Sequence, residues 1–226
     1  GYDSRIGDKL TTLIPDQHYF NQNGYGLFKK RVDSLDCSWH KKIPTAFWRG
    51  STTGGERQTV EKISEIVRYK LCKIALSADM LDAKLTNVVQ ALDMDQHKKI
   101  VERLITENIY GSRVDQADFI KYKFLVEIDG NATPWGFLKK LLMKSCVLRV
   151  CSNRSQWYYP GLLPWVHYVP VKSDLSDLKD MITWCVDNDS EASKIAGSGA
   201  EFARGFSFEK EMRQAAVILA GASSTA

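Results

Sequence analysis

The chain has 226 residues, 44% of them hydrophobic and 26% charged, with a formal net charge of +4. Such a length is ample for a sizeable core and describes a globular protein of one large domain or two small ones. The mild basic excess lacks the clustered Lys/Arg runs of a nucleic-acid binder, and no stretch reaches the ~20 apolar residues that span a bilayer. Five cysteines (Cys37, Cys72, Cys146, Cys151 and Cys185) form no CxxC spacing. They read as buried free thiols of a reducing compartment, with one bridge in an oxidising lumen as the alternative.

Residues 1–44 are turn-rich, punctuated by Ile14-Pro15-Asp16 and Asn23-Gly24-Tyr25-Gly26, with a short amphipathic helix expected over Tyr25–Leu35. Ile43–Trp48 is an apolar, β-leaning run that empties into a polar, Gly-rich loop from Arg49 to Gly55. From Thr59 the pattern turns helical, placing Val60, Ile63, Ile66 and Val67 on one face. Leu71–Asp82 reads as a strand followed by a loop, and Asp95–Asn108 as a helix. Phe119–Ile128 has the look of a buried strand, Asp129-Gly130-Asn131 of a turn, and Trp135–Lys144 of a helix. Val147–Val150 is a short parallel strand, Trp157–Trp165 an aromatic loop, and Tyr168–Val171 another strand. Ser173–Asp177 supplies N-cap residues for a helix to about Val186. Helices over Ser190–Arg204 and Ser207–Leu219 complete the set, and Ala220–Ala226 is a small-residue tail expected to fray.

Strands alternating with helices imply an α/β fold, a doubly wound parallel sheet covered on both faces. Such sheets bind ligands beyond the carboxyl ends of their strands, which directs attention to three loops. In the first, Arg49 leaves a strand where it could grip phosphate oxygens bidentately. Gly50 permits close backbone approach there, and Ser51, Thr52 and Thr53 offer donors. The alternative is a polar loop with a salt-bridged arginine, since no Walker ending follows. In the second, Glu127 and Asp129 end an apolar strand, where carboxylates commonly accept ribose or sugar hydroxyls. A hairpin is the competing reading of Asp-Gly. The helical spacing of Phe137, Leu138, Leu141 and Leu142 favours a helix whose free N–H groups could face a diphosphate. In the third, Tyr158 and Tyr159 could stack on a base or sugar ring, although packing of the aromatic loop serves equally well.

Other features carry less. Asp93-Met94-Asp95 and Asp187-Asn188-Asp189 have the Asp-x-Asp spacing of metal-dependent transferases, yet each sits near a helix end, where acids are common. The four histidines form no ligand pair at helical spacing. There is no nucleophile elbow.

Phe47-Trp48-Arg49-Gly50-Ser51, Lys121-Tyr122-Lys123-Phe124-Leu125, Ile128-Asp129-Gly130-Asn131, Trp157-Tyr158-Tyr159 and Leu163-Pro164-Trp165-Val166-His167-Tyr168-Val169-Pro170-Val171 together resemble glycosyltransferase family 90. The matches run in order from about Ile14 to Phe202. The resemblance implies a GT-B architecture, in which residues 45–226 are the Rossmann-like C-terminal domain that binds the nucleotide sugar. Residues 1–44 would be a remnant of, or linker to, the N-terminal acceptor domain. It implies a UDP-sugar donor, no cofactor, no metal, and transfer to a glycan, lipid-linked or protein hydroxyl. Carried over by position, Arg49 would hold the diphosphate with Gly50, Ser51 and Thr52 beside it. Phe124, Glu127 and Asp129 would line the nucleotide, and Gly130 and Asn131 would open the phosphate turn.

Two departures qualify the expectation. Gly136 stands where many members carry an arginine, so Lys139 or Lys140 compensates, or the diphosphate relies on Arg49 and backbone amides. The family's proposed catalytic aspartate would fall before Gly1, so the catalytic residue is expected upstream and the acceptor domain largely outside this sequence. Surface polysaccharide or lipopolysaccharide synthesis at the inner membrane face, with peripheral membrane association, is the leading expectation. Protein O-glucosylation in the secretory lumen is the alternative, and a non-catalytic UDP- or sugar-binding module the rival class.

Overall fold

Near-continuous apolar runs become the strands of one parallel sheet, because a strand buried on both faces has no polar side to show. In the computed structural model, which describes residues 1–223 apart from Tyr2, Lys9 and Asp36, the strands are β1 (Ile43–Ser51), β2 (Leu81–Asn87), β3 (Tyr122–Glu127), β4 (Cys146–Val150) and β5 (Val169–Val171). They lie in the order β2-β1-β3-β4-β5, and every pairing is parallel. Side chains alternate across the sheet. Trp48, Phe124, Val126 and Leu148 enter one core, while Phe47, Leu125 and Val147 enter the packing on the other face.

The helices are α1 (Gln17–Asn21), α2 (Gly26–Ser34), α3 (Val67–Ala75), α4 (Met94–Thr106), α5 (Phe137–Leu142), α6 (Leu178–Asp187), α7 (Asp189–Arg204) and α8 (Phe208–Ser223). Helices α3, α4 and α6 cover the first face through Leu71, Cys72, Ile100, Leu104 and Ile182. On the second face, α2 contributes Val32 and α5 contributes Phe137, Leu138 and Leu141. Helix α7 serves both, with Ile195 and Ala196 in the first core and Ala203 in the second. The 1–44 segment carries α1 and α2 onto that second face, where Tyr19 and Tyr25 are buried with Phe137 and Tyr158. Asp93 caps α4 by accepting the Gln96 N–H at 2.8 Å, the bond an N-cap carboxylate is suited to make.

Several boundaries differ from expectation. Leu71–Asp82 is not a strand and loop: Leu71 to Ala75 complete α3, and the strand is β2, beginning at Leu81. A five-residue stretch that is apolar apart from Lys73 fits either period; burial of Leu71 and Cys72 against the sheet selects the helix. The helical pattern from Thr59 breaks into a 3-10 turn over Lys62–Glu65 and an extended Ile66 before α3 starts. Phe119 lies in a 3-10 turn that precedes β3. Helix α5 begins at Phe137, not Trp135, because Pro134 disfavours helical backbone at Thr133 and Gly136 is a poor helix former. Helix α8 continues through Ser223, into the tail expected to fray, whose last residues, 224–226, lie outside the described ones. All five cysteines are free thiols. Among the described residues no helix is long and apolar enough to cross a membrane.

The chain leaves β1 toward β2 on one side and later returns to β3 on the other. That reversal of strand order opens a crevice between the carboxyl ends of β1 and β3.

Candidate functional site

The loops leaving β1 and β3 at this switch point border three adjoining cavities. The largest, of about 1150 Å³, is lined by Trp48, Arg49, Gly50, Ser51 and Arg68, with Arg113 and Gln116 opposite. A second, of about 580 Å³, lies over the ends of β3 and β4 between Asp129, Gly130 and Ser152. The third, of about 570 Å³, runs along residues 130–136. Ser51 and Arg68 line the first and third, and Thr53 and Gly130 line the second and third.

Arg68 occupies the centre. From the first turn of α3 its guanidinium crosses the crevice, donating from Nε to the Asp129 carbonyl at 2.9 Å and from Nη2 to the Ile128 carbonyl at 3.1 Å. Nη1 donates to the Ser51 carbonyl at 3.2 Å. These bonds use three of the five donors of an arginine and tie the end of β1 to the end of β3. Burial pulls the Arg68 pKa down to about 10, with Glu127 and Asp129 opposing, so the group is a cation at neutral pH. Gly130 makes room for it: a Cβ there would lie 2.9 Å from Arg68 Nη2 and 2.4 Å from Thr53 Oγ1.

The expected residues of β1 divide among several tasks. Arg49 lines the large cavity, but its Nη1 and Nη2 engage the two carboxylate oxygens of Asp82 at 2.7 and 2.8 Å. The guanidinium also lies 4.3 Å from the centre of the Phe47 ring. Gly50 is required by Trp48, whose ring would meet a Cβ at 2.4 Å. Ser51 lines two cavities and receives Arg68 through its carbonyl. Thr52 is fully buried, with Oγ1 donating to the Val89 carbonyl at 3.0 Å and accepting the Val89 N–H at 2.9 Å. It joins the loops after β1 and β2.

Around β3 the pattern is similar. Phe124 is fully buried in the core. Glu127 is buried beneath the turn and paired with Lys140, Nζ to Oε2 2.5 Å; burial pushes its carboxyl up while the ammonium opposes. Asp129 reaches the second cavity and accepts the Ser152 hydroxyl at 2.5 Å. Its carboxyl is raised by burial and held back by that bond and by Arg149. Asn131 accepts the Gly54 N–H at 2.9 Å and donates to Gln90 Oε1 at 3.0 Å, pinning the Gly-rich loop over the turn. Lys139 donates to Gln116 Oε1 at 3.3 Å and lies over the Tyr25 ring, so neither lysine of α5 is without a partner. Tyr158 lines none of the three cavities; it packs among Phe137, Trp157 and Phe206. The crevice thus gathers Arg49, Gly50, Ser51, Asp129, Gly130 and Asn131, and leaves Phe124 and Tyr158 in the packing.

Arg68, Ser152 and Gln116 were not anticipated. Arg68 sits in a helix read only for its apolar face, and its acceptors on Ile128 and Asp129 are 60 and 61 residues away, so no local pattern marks it. Of the Asp-x-Asp pairs, Asp93 caps α4 and Asp95 pairs with Lys99 at 2.7 Å. Asp189 pairs with Lys123 at 2.6 Å. Among the described residues no three His, Cys, Asp or Glu side chains converge as a metal site would require.

Comparison with known proteins agrees with this architecture. Residues 27–213 match the profile of glycosyl transferase family 90. The chain is 36% identical over 169 residues to protein O-glucosyltransferase 2 of Danio rerio, covering 74% of this chain and 29% of that protein. It is 31% identical over 166 residues to protein O-glucosyltransferase 1 of Homo sapiens, covering 74% of this chain and 38% of that protein. Among solved structures, Anabaena Alr3699/HepE in complex with UDP-glucose superposes with a TM-score of 0.54 at 14% identity, over 85% of this chain and 53% of that one. Sucrose-phosphate synthase of Thermosynechococcus elongatus does so with a TM-score of 0.52 at 12% identity, over 87% and 49%. These structures share the fold, a Rossmann-like domain of the GT-B type. The chain spans between 29% and 38% of the two relatives' lengths.

Proposed function

Since the chain belongs to glycosyl transferase family 90, we propose that it holds the donor of an enzyme transferring a sugar from a UDP-sugar to an acceptor hydroxyl. The observation that carries this reading is Arg68, a buried cation at the switch point whose hydrogen bonds run to carbonyls rather than to a carboxylate. Held that way the guanidinium has no carboxylate in hydrogen-bond contact, Glu127 and Asp129 acting on it only through space, and a diphosphate is a ligand suited to its remaining charge. Support for uridine comes from the Anabaena neighbour, whose structure is a complex with UDP-glucose.

In this proposal Asp129 and Ser152 take the ribose hydroxyls in the second cavity, and the diphosphate lies by Thr53, Gly130 and Arg68. Arg49, Gly50, Ser51 and Thr52 form the adjoining wall, with the Arg49 charge already met by Asp82. Gly130 and Asn131 shape the turn, and Glu127 with Lys140 supports it from below. Transfer would proceed by displacement at the anomeric carbon, with a carboxylate base taking the acceptor proton and Arg68 stabilising the departing UDP without a metal. The base is assigned to no residue here; Glu127 is buried against Lys140 and unsuited to the task.

The relatives' names support glucose as the sugar and a protein hydroxyl as acceptor, a reading that places the reaction in the secretory lumen. Lipopolysaccharide or surface polysaccharide at the inner membrane face is the second reading, and free thiols at all five cysteines favour that reducing compartment. Titration calorimetry with UDP and UDP-glucose tests the donor proposal directly. Saturable binding of both is expected; no binding of either at millimolar concentration would overturn it.

A further inference from the structure

The third cavity ends in an aromatic surface with no assigned purpose. Trp135 is 46% exposed at its mouth, a costly position for a large apolar ring. The ring is nonetheless fixed. His18 of α1 packs against it with centroids 3.8 Å apart and planes 31° from parallel, and the Tyr25 hydroxyl donates to the Trp135 carbonyl at 3.0 Å. Other exposed aromatics are used differently: Trp165 rests edge-on against Trp184 and lines none of the three cavities.

Around the indole the cavity is polar. Gln116 and Lys139, joined to each other by a hydrogen bond, line it with Arg68, Thr53 and Gly130, the group proposed to hold the diphosphate. Among the described residues no carboxylate lines this cavity. A flat apolar face ringed by hydrogen-bond donors matches a hexopyranose, which has an apolar C–H face and hydroxyls at its edge. The sugar of a nucleotide sugar is joined directly to the second phosphate, and Trp135 and Arg68 line the same cavity.

We propose that Trp135, braced by His18, is the platform for the donor's hexose ring, and that Gln116 and Lys139 bind its hydroxyls. This rests on the donor reading above. The test compares UDP and UDP-glucose by calorimetry on the chain as it stands, for wild type, Trp135→Phe and Trp135→Ala. Trp135→Ala is expected to keep its UDP affinity within about twofold and to lose about tenfold toward UDP-glucose, with Trp135→Phe retaining most of it. If Trp135→Ala does not fold, Trp135→Leu preserves apolar bulk over His18 and removes the aromatic face. An unchanged ratio of the two affinities overturns the platform while leaving the donor reading intact. Equal loss of both ligands also overturns it, by assigning Trp135 to the nucleotide. A wild-type chain that binds neither ligand removes the donor reading itself.

Discussion

Arg49 and Asp82 meet fork to fork across the neighbouring strands β1 and β2, with Nη1–Oδ1 and Nη2–Oδ2 separations of 2.7 and 2.8 Å. A guanidinium already matched by a carboxylate gains little from a second anion, whereas Arg68 donates its hydrogen bonds to carbonyls alone. Arg68→Ala is therefore expected to weaken UDP binding by about 30-fold or more, in keeping with a charged hydrogen bond worth roughly 2 kcal/mol. Arg49→Ala should change the UDP dissociation constant by less than about threefold and chiefly lower the melting temperature. Calorimetry and thermal melts on both variants decide it; equal losses of affinity would restore Arg49 as the diphosphate cation.

Gly130 leaves the space beside that cation open, so its missing side chain matters. In Gly130→Ala the new methyl would collide with Thr53 Oγ1 and Arg68 Nη2. The guanidinium must shift, and UDP affinity should fall by about tenfold with a melting temperature changed by only a few degrees. Unaltered affinity would show that the Arg68 position is immaterial to binding.

Under the turn, Glu127 and Lys140 stabilise each other as a buried pair, with side chains 2% and 8% exposed. Lys140→Met strands a carboxylate whose pKa burial already raises, at a cost of about 3–5 kcal/mol. Glu127→Gln strands the ammonium to similar effect. The double variant should recover most of the loss, since an apolar or neutral pair needs no counter-charge. Denaturant titration of the four proteins measures the coupling, and additive single losses would refute it.

His167 gives a pH dependence of definite sign. Its Nδ1 accepts the Leu163 N–H at 3.0 Å, so the ring is neutral with its proton on Nε2, and burial lowers its pKa below 6.5. As pH falls through 6.5 the unfolded chain takes up the proton first. This contribution to stability is thus complete above that pH and disappears as pH drops through the lowered folded value. Melts at pH 7.5 and 5.5 should show a larger decrease for wild type than for His167→Asn, whose amide oxygen can still accept the bond. Identical decreases would rule out His167 as the source.

How far the sequence could be read follows from the range of the interactions. Asp93 caps α4 through a residue three positions away, and the sequence marked it only as an acid near a helix end. The apolar runs of β1, β3 and β4 were visible, because burial on both faces leaves a mark on every residue. The Leu71–Ala75 stretch misled because a largely apolar segment that short satisfies both periods, and only packing of Leu71 and Cys72 against the sheet distinguishes them. Arg49, Gly50, Ser51, Asp129, Gly130 and Asn131 were legible as strand-end loops. Tyr158 was legible as an aromatic but not as a buried one.

By itself the sequence determined the α/β class and the family, and it pointed to the strand ends that border the candidate site. Those depend on residue type and short-range order. Only the tertiary structure decided which of the two arginines at the switch point is paired directly with a carboxylate. Arg49 and Arg68 are chemically identical. What separates them is that β2, 33 residues on, sets Asp82 against the first, while Gly130 and the Ile128 and Asp129 carbonyls just after β3 receive the second. The charge available to a ligand is a property of those distant neighbours, and no local pattern records it.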